Sequence, residues 1–187
     1  MSRLRIVLTM SFVLAIAVVA VVAMAFIGGG TGEANPADCR AGDVLDGVHH
    51  PQRIKVIDPC VSVRGTVAVV QDHEDGDWDI GLIPDPPDLD LLGRGNVTKV
   101  GGLLVVEVIP KDQPIVRRPR AGSRVEVTGA YVIDTPNGWR EIHPAWKIEE
   151  LTPSPIPEGT GDRVRGVARF AKRALLRVRA EIRERLD

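Results

Sequence analysis

Apolar and polar positions follow three different patterns along the chain. From Ile6 to Ile27 no residue is charged, and Arg3 and Arg5 precede the run. A bilayer-spanning helix needs about 20 apolar residues, whereas the apolar core of a cleaved signal runs to roughly 7–15. Residues 1–30 are therefore read first as a signal-anchor, with membrane contact through residues 6–27. The two Arg keep the N-terminus on the cytoplasmic side. Ala23-Met24-Ala25 offers a small-x-small cleavage site, so secretion after cleavage is the second reading. Both place everything beyond about residue 30 outside the cytoplasm. Residues 31–38 form a spacer.

Residues 39–150 carry short β-type runs separated by turn residues. "RIKVI" (53–57) and "VSVRGTVAVV" (61–70) are β-branched, and Gly65 permits a bend in the second. "HEDGD" supplies an Asp-Gly turn, and "WDIGLI" (78–83) is the return strand. A loop follows, with one helical turn expected at Leu89–Leu92. "LLVVEVI" (103–109) is nearly continuous in apolar residues, the pattern of a strand buried on both faces. "RVEVTGAYVI" (124–133) alternates, placing Val125, Val127 and Tyr131 on one face. "DTPNG" turns the chain into "WREIHPAWKIEE", the last strand. Five strands at short spacing, without a long helix, predict an all-β domain. Their number and the bend in the first favour a small OB-like five-stranded barrel.

The third pattern is helical. After a Pro-rich linker at 151–161, Val164, Ala168, Ala171, Leu175, Val178 and Ile182 build one stripe. Arg165, Lys172, Arg179 and Arg183 lie beside it. Residues 162–187 are thus expected to form a basic amphipathic helix for anionic lipid or a partner helix. Packing on the barrel is the plainer alternative.

Charge sharpens this division. The whole chain has a net charge of −1, yet residues 33–158 hold 13 Lys+Arg against 21 Asp+Glu, a net of −8. Residues 159–187 hold 9 against 4, a net of +5. An acidic body is not built to grip a phosphate backbone, so nucleic acid is not the expected partner of the barrel. Cys39 and Cys60 are the chain's two cysteines. In an oxidising compartment they are expected to form one disulfide, worth roughly 3 kcal/mol for a loop of about 20 residues.

Several strings in the body form a recognisable set: "HHPQRIKVIDPCVSVRGTV", "DGDWDIGL", "LLGRGN", "GGLLVVEVIP" and "VTGAYVIDTPNGWREIHPAW". Together they resemble a group of small secreted or anchored bacterial proteins of unassigned function, with an "HPxRL…PCxxVxGTV" opening and a "GWxEIHPxW" end. The resemblance covers about residues 39–149. It implies a small extracytoplasmic β-barrel and no particular reaction. The group carries a His where this chain has Asp79.

Two stretches carry candidate chemistry. In "QDHEDGDWD", Asp75, Asp77 and Asp79 have the period-two spacing of one strand face. Three carboxylates on one face repel one another unless a cation sits among them, and Ca²⁺ accepts such oxygens. An acidic hairpin turn without metal explains the same residues. The stretch also has a partial similarity to staphylococcal-nuclease-like OB domains. Asp75-Gly76-Asp77 matches their "DGD", and Asp134-Thr135-Pro136-Asn137 matches their "DTPE". That similarity implies a Ca²⁺-dependent phosphodiesterase. Here the two pieces lie about three times further apart than in that family, and Asn137 replaces the Glu.

In "GWREIHPAW", Trp139, Glu141 and His143 are expected to line one exposed surface, with Ile142 pointing inward and Trp146 further along. A Trp beside a carboxylate and an imidazole can stack a sugar or base and bond its edge. Closure of the barrel ends by the two Trp accounts for them equally. His49 and His50 are placed to join His143 at a metal if the fold brings them together. With no Ser or Cys beside Glu141 and His143, a covalent mechanism has no nucleophile. The first expectation is a non-enzymatic binding module at the cell envelope. The alternatives are the nuclease-like enzyme and a scaffold that pairs through residues 162–187.

Overall fold

The computed structural model describes residues 34–156. The expected anchor at 1–30 and helix at 162–187 lie outside the described residues. Among the described residues, no helix is long and apolar enough to cross a membrane.

Five strands close into a barrel in the order β1-β2-β3-β5-β4. They are β1 (Ile54–Asp72), β2 (Trp78–Pro84), β3 (Leu104–Val108), β4 (Arg124–Asp134) and β5 (Trp139–Thr152). All neighbouring pairs are antiparallel except β3 and β5, which pair in parallel at Val105↔Glu141 and Val106↔Ile142.

The two β-branched runs expected as separate strands form one strand. Register shifts between Val56, Asp58 and Val61 absorb the intervening Asp58-Pro59-Cys60. This long β1 pairs first with β4 and then with β2, and Gly65 sits at the changeover, opposite both Val125 and Pro84. A Cβ at Gly65 would lie 2.4 Å from the Ile83 carbonyl oxygen, so no larger residue fits without movement there.

The barrel interior is aliphatic. Val63, Val67, Ile80, Leu82, Leu104, Val106, Val108, Val125, Val127, Tyr131 and Ile142 pack in one cluster. The Val125, Val127 and Tyr131 face is therefore core. β3 differs from its expectation, since only alternate residues are fully buried and Glu107 lies on the outer side. The expected helical turn at Leu89–Leu92 is a 3-10 segment at Pro86–Leu91, and a short helix α1 (Arg94–Lys99) follows it.

Two fasteners fix the strands that matter below. Asn96 of α1 is fully buried. Its side chain donates to the carbonyls of Leu103 and Arg140, and its oxygen accepts from the amides of Gly93 and Arg140. It thereby ties the entry of β3 to the start of β5. Cys39 and Cys60 are joined by a disulfide, with Cα atoms 5.7 Å apart. That bond pins the segment before β1 onto the barrel. Trp146 reinforces it by donating its indole N–H to the Asp38 carbonyl at 2.8 Å, and the Arg40 guanidinium sits 4.8 Å over the Trp146 ring.

Candidate functional site

Residues that alternate with the core on β2, β3 and β5 point to the outside of the barrel. On β2 and β3, Asp79 pairs directly with Glu107. On β5, Glu141 and His143 flank the inward-facing Ile142. Like charges directly opposite each other on neighbouring strands destabilise a sheet. Their presence here calls for a reason other than folding.

Over this patch lies a cavity of about 190 Å³. The β1–β2 loop contributes His73 and Asp75, the end of β4 contributes Asp134, the β4–β5 turn Asn137 and the start of β5 Trp139, and the strap before β1 contributes His49, His50 and Arg53. The chain has four histidines, and all four line this cavity. Asp79, Glu107, Glu141 and His143 form its base. No Ser, Thr, Cys, Lys or Tyr is among the lining residues. His50, with φ of 57°, is the single non-glycine residue at positive φ among those described. For an ordinary side chain this backbone costs roughly 1–2 kcal/mol. The costly conformer therefore lies at the cavity rim.

His143 is the centre of the polar network. Its Nδ1 lies 2.8 Å from a Glu107 oxygen and 3.2 Å from Glu141 Oε1. The other Glu141 oxygen accepts from the Trp139 indole N–H at 2.8 Å. His143 Nε2 is buried and has no hydrogen-bond partner, and its nearest carboxylate is Asp77 Oδ2 at 3.7 Å. Burial opposes the imidazolium, but the hydrogen bonds to Glu107 and Glu141 outweigh it and raise the His143 pKa to about 10. Burial, with Asp75 nearby, lifts Asp77 to about 6. Burial also raises Glu141, and burial with Glu107 raises Asp79. Three carboxylates, Asp77, Glu107 and Glu141, thus surround one imidazole.

The expected surface is present with a correction. Trp139, Glu141 and His143 do lie together, but Glu141 and His143 are only 1% and 5% exposed. The strap and the β1–β2 loop shield them, so they form the floor of a cavity and not an open platform. Trp146 is elsewhere, packed with Ala130 and Val132 beside the disulfide segment.

The acidic stretch also divides. Asp75 accepts from the Asp77 amide and bonds His73, as in a local turn. Asp79 faces Glu107, and Asp77 turns toward His143. Among the described residues, the group that brings three ligand atoms within 4.8 Å of one another is Asp77, Glu107 and His143. Of the Asp75, Asp77 and Asp79 set, Asp77 alone belongs to it. The fold does bring Asp75 and Asp134 to one cavity. The Asp134 carboxylate, however, is taken by Arg53 at 3.2 Å and by the Asn137 side-chain amide at 2.7 Å. Glu107 was not foreseen as a site residue, whereas His73 stands in the acidic stretch "QDHEDGDWD" that the sequence singled out. Glu107 carried a signal, being the one charge in an otherwise apolar strand.

No family model matches the chain, and no curated protein matches it.

Proposed function

We propose that this protein is a non-enzymatic binding module of the cell envelope, built on an OB-like barrel, that captures a small polar ligand on its outer β2-β3-β5 face. One observation carries the reading. The side chains that would be free to vary on a solvated barrel face instead form a floor of carboxylates and imidazole beside Trp139. OB barrels bind ligands on the face of strands 2 and 3 and through the 1–2 and 4–5 loops, and the cavity uses these same elements. The floor is rich in acceptors, so the ligand class is one that presents hydroxyl or amine donors, with Trp139 as a stacking wall. The Cys39–Cys60 disulfide supports an oxidising, extracytoplasmic location, with residues 6–27 as the membrane anchor.

The test is Trp fluorescence of the full chain against glucosamine, N-acetylglucosamine oligomers and spermidine, for wild type and Trp139→Phe. Saturable emission shifts that disappear with Trp139→Phe support the reading. Absence of any shift at millimolar ligand counts against it.

A second reading, a metal-dependent phosphodiesterase, gains support from Asp75, Arg53 and Asp134 meeting at one cavity. It ranks lower because Arg53 and Asn137 already occupy the Asp134 carboxylate. Cleavage of a labelled oligonucleotide that needs Ca²⁺ and is lost in Asp77→Ala would reverse the order. A scaffold role for residues 162–187 predicts a co-purifying partner lost on their deletion.

A further inference from the structure

We infer that Asp77, Glu107 and His143 form a binding site for a divalent transition-metal ion of the zinc class at the floor of the cavity, with Glu141 positioning the His143 ring. The inference deepens the binding-module reading and rests on the same cavity.

Two independent observations support it. The three residues come from separate elements, the β1–β2 loop, β3 and β5, and their ligand atoms lie within 4.8 Å of one another. Separately, His143 Nε2 has no hydrogen-bond partner although the side chain is only 7% exposed. Buried ring nitrogens are rarely left unpaired. In metal sites the ligating His commonly offers one nitrogen to the ion while a carboxylate holds the other. Here Glu141 is placed to hold Nδ1 and Nε2 faces Asp77, while Glu107, which bonds Nδ1 in the metal-free chain, turns from Nδ1 to the ion.

The donor set then chooses the ion. One imidazole with two carboxylates suits zinc, iron, cobalt or manganese better than the all-oxygen shell that Ca²⁺ prefers. Ligands at roughly 2.0–2.2 Å from zinc lie about 3.4 Å apart, so binding draws Asp77 and Glu107 inward by side-chain rotation. Three protein ligands leave a coordination position open. Glu107 and His143 also line the cavity, so that position opens into it. There a water or a donor atom of the captured ligand completes the shell. The charge balance points the same way, since a divalent cation bound to a neutral imidazole offsets two of the three carboxylates.

The experiment is a titration of the full chain, tag-free in detergent and stripped with EDTA, with Co²⁺ alone, followed by Zn²⁺ displacement and by Ca²⁺ as control. The visible bands of bound Co²⁺ should saturate at one equivalent, vanish with Zn²⁺ and persist with Ca²⁺. His143→Gln should weaken binding by at least about 100-fold. Glu141→Gln should weaken it by roughly 10-fold or more, as loss of an outer partner does. Glu107→Gln, whose side chain is more exposed, serves if His143→Gln fails to fold, and it should weaken binding comparably. His49→Gln/His50→Gln should leave the bands in place. Absence of bands at millimolar Co²⁺, unchanged binding in Glu107→Gln and Asp77→Asn, or loss of binding only in His49→Gln/His50→Gln would each overturn the site. Shifts with glucosamine or spermidine in the absence of Co²⁺ bands would overturn the metal and leave the binding module standing.

Discussion

Among the described residues, two of the places that bury charge do so differently. At one end of the strap, Arg40 meets Asp112 at 2.5 Å, with the guanidinium over Trp146. One cation faces one carboxylate, and an indole stacks on the cation. At the other end, His143 faces Asp77, Glu107 and Glu141 beside a cavity. The first pair is balanced and closed. The second carries surplus negative charge and opens to a space that a ligand can enter. A balanced buried pair holds a strap in place, whereas an unbalanced one is tolerated only when it serves another purpose.

Breaking the balanced pair should have the largest effect. Asp112→Ala strands the Arg40 guanidinium and should cost about 3–5 kcal/mol in urea denaturation, with Co²⁺ binding per folded molecule unchanged. A smaller loss would mean that Trp146 and solvent carry the Arg40 charge. Reducing the Cys39–Cys60 bond should come next, at roughly 3 kcal/mol, and should also weaken the cavity ligand because the strap carries His49, His50 and Arg53.

Relieving the unbalanced cluster should work in the opposite direction. Asp77→Asn removes a buried carboxylate whose pKa is raised to about 6, so the metal-free chain at pH 8 should gain about 1–3 kcal/mol. Equal stability of wild type and variant would mean that Asp77 is already compensated. The pH response of the metal-free chain follows from the same groups. A raised Asp77 stabilises the fold below its unfolded value of 3.8, and that contribution is lost as pH climbs through about 6. A raised His143 stabilises below 6.5, and its contribution is lost as pH climbs toward about 10. The melting temperature should therefore fall from pH 7 to pH 10, and His143→Gln should flatten that slope.

The smallest change separates the two indoles of β5. Trp139→Phe deletes the hydrogen bond to Glu141, and Trp146→Phe deletes the one to Asp38. Each should cost about 1 kcal/mol of stability. Only Trp139→Phe should alter ligand binding at the cavity. Equal binding effects would erase the distinction between the two regions.

Much of the barrel was legible along the chain because strand periodicity is a local property. Val125, Val127 and Tyr131 announced their shared face. The merging of two runs into β1 was not legible, since register shifts around Asp58 and Cys60 depend on the partner strand β4. On β5, the alternation around Ile142 put Glu141 and His143 on the outer face. It could not say that the strap would cover them. Glu107 stood out as a charge in an apolar run, but its neighbour His143 is set by a two-residue parallel pairing between β3 and β5.

The sequence alone determined the strand pattern, the aliphatic interior, the cysteine pair and the contrast between acidic body and basic tail. These depend on side-chain hydrophobicity, local periodicity and charge, which act between near neighbours. Only the tertiary structure decided that all four histidines meet at one cavity, that Asp77 leaves its own acidic stretch for His143, and that Trp139 and Trp146 go to different places. Those outcomes depend on barrel closure, which brings loop, strand and strap residues distant in sequence within a few ångströms of one another.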